Sequence, residues 1–133
     1  MTGQPLILLI DDEPNFLEIF KTKFSAIGFG VETALNGEEG IKKAKALKPD
    51  LILLDMKMPG LSGADVLIKL RDDKATKGIK VMFLTNLGDP RPEMNEVSER
   101  ISIEVGAHGY IRKTDDLDSI VERVKDFLLE KKQ

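Results

Sequence analysis

The run Leu51-Ile52-Leu53-Leu54, set between Pro49-Asp50 and the turn residues Met58-Pro59-Gly60, most restricts how this chain can fold. Four apolar residues in succession, with no polar residue at alternate positions, describe a short strand covered on both faces. The run ends at Asp55, so a carboxylate stands at the strand's C-terminal tip, the rim where open α/β sheets place their chemistry. Beyond the turn, Ser62 and Asp65 lie three residues apart in a helix-start capping pattern. The segment reads strand, acid, shaped loop, helix. Taken alone, an Asp after a strand is more often a turn residue or a cap.

The pattern recurs along the chain. Leu6–Ile10 is a second continuous apolar run, and it too ends in acid, at Asp11-Asp12-Glu13, with Pro14 suited to a helix's first turn. Leu17, Phe20, Phe24 and Ile27 make one stripe on that helix, which stops at Gly28. A short strand over 31–34 leads to Asn36, the cap of a helix with Ile41, Ala44 and Leu47 inward and Lys42, Lys43, Lys45 and Lys48 on a solvated face. The central strand and a helix over 64–71 come next, then a strand over 79–84 with Thr85 and Asn86 beyond it. Pro90 and Pro92 keep 87–92 a loop, and a polar helix with a thin apolar stripe is expected over about 93–104. A strand over 109–113 ends at Lys113, and a last helix carries Leu117, Ile120, Val121, Val124, Phe127 and Leu128 on one face. Strand then helix, five times without repeat or linker, predicts one doubly wound α/β domain over 1–133 with a parallel sheet and helices on both faces. The ends, 1–5 and 131–133, are expected to fray.

Composition removes several function classes. The 133 residues carry a net charge of −3, which argues against general nucleic-acid affinity. No apolar run reaches the roughly 20 residues a membrane span needs, and the start of the chain has no signal-peptide pattern, so a cytoplasmic location is expected. There is no cysteine and one histidine, His108, which removes thiolate chemistry and weakens a zinc or Ser-His reading. His108 itself reads as a loop residue.

Four strand tips are polar: Asp11-Asp12, Asp55, Thr85 and Lys113. With strand order 2-1-3-4-5, the first and third strands are neighbours and Asp11, Asp12 and Asp55 meet in one crevice, with Thr85 and Lys113 across it. Three close carboxylates repel one another unless a cation sits among them, and Mg²⁺, a hard ion that favours oxygen ligands, is the natural occupant. A lysine and a hydroxyl facing that cation across one carboxylate make a place for a phosphoryl group, with the carboxylate as nucleophile.

In the motifs Ile10-Asp11-Asp12-Glu13-Pro14, Leu53-Leu54-Asp55-Met56-Lys57-Met58-Pro59-Gly60-Leu61-Ser62-Gly63, Phe83-Leu84-Thr85 and Gly106-Ala107-His108-Gly109-Tyr110-Ile111-Arg112-Lys113, the chain resembles the response-regulator receiver domains of two-component signalling. The resemblance covers nearly the whole length. It implies a flavodoxin-like fold and a signalling phosphoacceptor rather than an enzyme acting on a separate substrate. Asp55 would accept a phosphoryl group from the phosphohistidine of a histidine kinase or phosphotransfer protein. Asp12, Asp55 and the backbone carbonyl of Lys57 would hold Mg²⁺, with Asp11 acting largely through water, and no organic cofactor is implied. Thr85 and Lys113 would bind the phosphoryl oxygens. Movement of Thr85 would let Tyr110 turn inward and reshape the face of the fourth helix, fifth strand and last helix, where a protein target or a second copy binds. Nothing in this scheme requires contact with nucleic acid or membrane.

The chain departs from the family pattern in places. Thr114 stands where proline is usual after the lysine, and a cis bond before it is disfavoured. Asn86 fills a position usually held by alanine or glycine, and 89–92 reads as an insertion beside the switching face. Lys57 adds a cation near the acceptor and is expected to alter acyl-phosphate hydrolysis. Two other readings stay open at this point: a degenerate receiver that only binds proteins, and a phosphatase of the haloacid-dehalogenase type. The latter places its nucleophile on the first strand with an acidic pair late in the chain, where this chain has the reverse.

Overall fold

The structure is a computed structural model that describes residues 4–85, 108–113 and 115–130. In chain order it runs β1 (Leu6–Ile10), α1 (Pro14–Ala26), β2 (Gly30–Ala34), α2 (Gly37–Leu47), β3 (Leu51–Asp55), α3 (Gly63–Arg71), β4 (Lys80–Thr85), β5 (Gly109–Arg112) and α4 (Leu117–Glu130). The helix expected over 93–104, the 89–92 insertion, Asn86, Thr114 and 131–133 lie outside the described residues. The strands form one parallel sheet in the order β2-β1-β3-β4-β5, as expected.

Alternation within the strands divides the interior into two layers. Ile7, Leu9, Leu51, Leu53, Met82 and Leu84 face α1 and α4, packing on Phe20, Phe24, Ile120 and Val124. Their neighbours Leu8, Ile10, Ile52, Leu54, Val81 and Phe83 face α2 and α3, packing on Ala44, Val66, Leu67 and Leu70. All five residues of β3 are buried, as expected for the central strand of a sheet covered on both sides.

Local signals set the helix starts. Asn36 Oδ1 accepts from Glu39 N at 2.8 Å, and Ser62 with Asp65 forms a reciprocal capping box. Asp116 does the same work for α4, accepting from Ser119 N at 3.1 Å. Two expected core residues are corrected. Ile27 is the cap residue that ends α1 and is exposed, because the chain turns away at Gly28, φ +95°. Leu47, the last residue of α2, is also exposed, since the helix ends there in a left-handed Lys48. The inward face of α2 is formed by Ala44 with Gly37 and Gly40: a Cβ on Gly40 would stand 2.4 Å from Ile10 Cδ1, so its absence lets the helix lie close against β1. Among the described residues no helix is long and apolar enough to cross a membrane.

Candidate functional site

Strand pairing carries the polar tips to one edge of the sheet. Asp11 is still held by the ladder, its N–H donating to Ala34 O at 3.0 Å. Asp55 closes β3 opposite Leu84, one residue before Thr85. Thr85 pairs with Arg112, and its carbonyl accepts from Lys113 N at 2.6 Å. Tyr110 pairs with Phe83 through the backbone; its ring lies outside the described part.

Asp11, Asp12 and Asp55 each present a carboxylate oxygen, and the three lie within 4.8 Å of one another. Asp11 is fully buried and Asp55 nearly so, while Asp12 is partly exposed. Lys113 Nζ, its side chain only 8% exposed, reaches into this cluster. It stands 2.8 Å from Asp11 Oδ2 and 3.8 Å from Asp55 Oδ2, and it is hydrogen-bonded to Glu13. The ring of Phe16 lies beneath it, with 4.5 Å between Nζ and the ring centroid. Lys113 therefore does pair with Asp55, but Asp11 and Glu13 are its closer partners.

The loop after β3 shapes the acceptor. Lys57 N donates to Asp55 Oδ1 at 3.3 Å, and Met58 is buried in the α2–α3 layer. Gly63 N donates to Met56 O at 3.0 Å, and a Cβ at Gly63 would meet Asp55 O at 2.4 Å. Only glycine lets α3 start so close to the strand tip.

The charge balance is unusual for so enclosed a place. Burial first, and then the charge of Asp11, push Asp55 up to about 7, against the opposing pull of Lys113 and the Lys57 N–H. Burial also raises Asp11, although Lys113 and the Glu13 N–H work the other way. Burial tends to lower Lys113, but its bonds to Asp11 and Glu13 outweigh this and hold it above its ordinary value. Asp11, Glu13 and Asp55 lie within 4 Å of one ammonium, and Asp12 adjoins Asp11 and Asp55. An all-oxygen, over-acidic set of this kind suits a hard divalent cation such as Mg²⁺.

Residues 7–125 match the family described as the response regulator receiver domain. The chain belongs to this family. It is a receiver domain of two-component signalling, and the phosphatase alternative falls with that result. Over 125 residues it is 34% identical to the DNA-binding dual master transcriptional regulator RpaA of a Synechocystis species, covering 93% of this chain and 49% of that one. The chain thus spans about half the length of the curated relatives it matches first. A receiver domain protein (CheY-like) from Methanospirillum hungatei superimposes with a TM-score of 0.83 at 29% identity, covering 98% of each chain. The response regulator TrrA of Thermotoga maritima, solved in complex with Mg(2+)-BeF, gives 0.75 at 35% identity over 92% of this receiver and 98% of TrrA.

Asp11, Asp12, Asp55, Thr85 and Lys113 were all legible as strand-end residues. Glu13 is not legible in the sequence as a partner of Lys113. Its only sequence signal, an acid directly after the Asp pair, is equally that of a helix start. Phe16, read by spacing alone, gave no sign of lying under the ammonium.

Proposed function

We propose that this receiver accepts a phosphoryl group on Asp55 in a Mg²⁺-dependent reaction and signals through protein contacts. The observation that carries the reading is one arrangement: a nearly buried Asp55 at the tip of the central strand, two further aspartates beside it and the Lys113 ammonium 3.8 Å away. An Asp55 carboxylate oxygen would attack the phosphorus of a phosphohistidine on a histidine kinase or phosphotransfer protein. The O–P bond forms, the N–P bond breaks, and imidazole leaves. The N–H of Lys57 orients Oδ1 for this attack, and Lys113 offers charge to the transferred oxygens. Asp12, Asp55 and the carbonyl of Lys57, with Asp11 through water, would hold Mg²⁺. The ion would supply positive charge to the acidic cluster and to the phosphoryl oxygens.

Thr85 and Tyr110 are the proposed switch. A hydroxyl drawn toward the phosphoryl group frees space for the aromatic ring, a local charge change biasing a two-state element. Output then passes through the face around β5 and α4 to a protein target or a second copy. The test is intact-protein mass after incubation with Mg²⁺ and a small acyl-phosphate donor. One added phosphoryl group is expected, absent from Asp55→Asn and from a chelated sample. No gain in any sample, together with no Mg²⁺ binding, would leave a receiver-shaped interaction module. In the same assay, Lys57→Ala is expected to change the lifetime of the acyl phosphate.

A further inference from the structure

Two acids hold the Lys113 ammonium away from Asp55. It forms an ion pair with Asp11 Oδ2 at 2.8 Å and donates a hydrogen bond to Glu13, while Asp55 Oδ2 at 3.8 Å is outside hydrogen-bond reach. The aromatic face of Phe16 limits where the ammonium can move. Closing on a phosphoryl oxygen borne by Asp55 draws the ammonium away from one of these two acids.

The two acids are unequal as holders. Asp11 has no exposed surface, and its other oxygen, Oδ1, already accepts from Glu13 N at 2.9 Å. Releasing it would strip a partner from a fully buried carboxylate, a costlier change than releasing an exposed one. The Glu13 side chain is 59% exposed and water takes over its hydrogen bonds on release. Glu13 also begins α1 without capping it through its side chain, so its carboxylate has no structural duty there.

We propose that Glu13 is a positioning residue for the phosphoryl transfer: it holds the Lys113 ammonium off Asp55 and yields it when a phosphoryl group arrives. The inference rests on the phosphoacceptor reading above and adds a restraint to it. Glu13 sets how readily Lys113 is recruited, and so slows labelling in the resting protein.

The experiment compares the full chain with Glu13→Gln and Glu13→Asp, each also in a Lys113→Met background. Labelling by a small acyl phosphate with Mg²⁺ is timed, and the ¹⁵N-ammonium resonance of Lys113 is followed by NMR. Glu13→Gln and Glu13→Asp should both label roughly two- to fivefold faster, the scale of one partly exposed ion pair. Both should also shift the Lys113 resonance and speed its exchange with water. In the Lys113→Met background the Glu13 substitutions should change nothing. An equal gain without Lys113, a Glu13→Asp that behaves as wild type, or an unmoved Lys113 resonance would each overturn the proposal. If the wild-type chain takes no phosphoryl group either, the acceptor reading falls and this one with it. A labelled wild type with unaltered variants overturns the role of Glu13 alone.

Discussion

Asp55 combines two demands that oppose each other, enclosure and ionisation. Its pKa lies near 3.8 when the chain is unfolded and rises to about 7 in the fold, chiefly through burial. Between those values the folded protein binds more protons than the unfolded chain, so stability falls as pH rises from about 4 to about 7 and is level above. The loss is at most roughly 4 kcal/mol, and Asp55→Asn removes it. Urea unfolding followed from about pH 5 to about pH 8 should show this slope in the wild type and a flatter one in Asp55→Asn. Parallel slopes would mean that Asp55 ionises freely. A bound divalent cation favours the carboxylate, so Mg²⁺ affinity, read by titration calorimetry, should climb across the same window. At this scale the sequence was informative where chemistry sits on strand ends, and silent where it depends on two side chains a hundred positions apart. Glu13 and Lys113 meet only because β1 and β5 end on the same edge of the sheet.

Glycines and caps show which elements are tuned to the site. Gly63→Ala would drive a Cβ into the Asp55 carbonyl at 2.4 Å and the Met56 Cα at 2.8 Å, both backbone and unable to yield without moving the loop. The expected result is slower labelling together with a stability loss of about 1–3 kcal/mol. Ser62→Ala, one residue earlier, removes a cap and should cost about 1 kcal/mol while leaving the labelling rate unchanged. Measured side by side, the two substitutions separate the shape of the loop from the stability of α3; equal effects on labelling would refute the distinction. The caps at Asn36 and Ser62 were readable because their partners lie three residues on. Helix ends were less so. Ile27 and Leu47 fit the apolar spacing, yet the stripe carries no mark of where the chain leaves the core.

The alternation of strand and helix made the sheet and its two covered faces predictable from the chain alone. Periodicity does not order the strands, and 2-1-3-4-5 entered as one of the common orders of doubly wound sheets. With that order, β3 becomes a wall between the Phe20–Phe24 layer and the Val66–Phe83 layer. Phe20→Ala should cost about 3–5 kcal/mol in urea unfolding, since its ring is fully buried between Phe16 and Phe24. Combined with Val66→Ala across the wall, the losses should add to within about 0.5 kcal/mol, whereas Phe20→Ala with Phe24→Ala should not add. Additivity has a historical meaning as well as an energetic one. A substitution in one layer leaves the choices in the other untouched, so the two sides of such a molecule can diverge at their own pace, like two dialects sharing a grammar in the sheet.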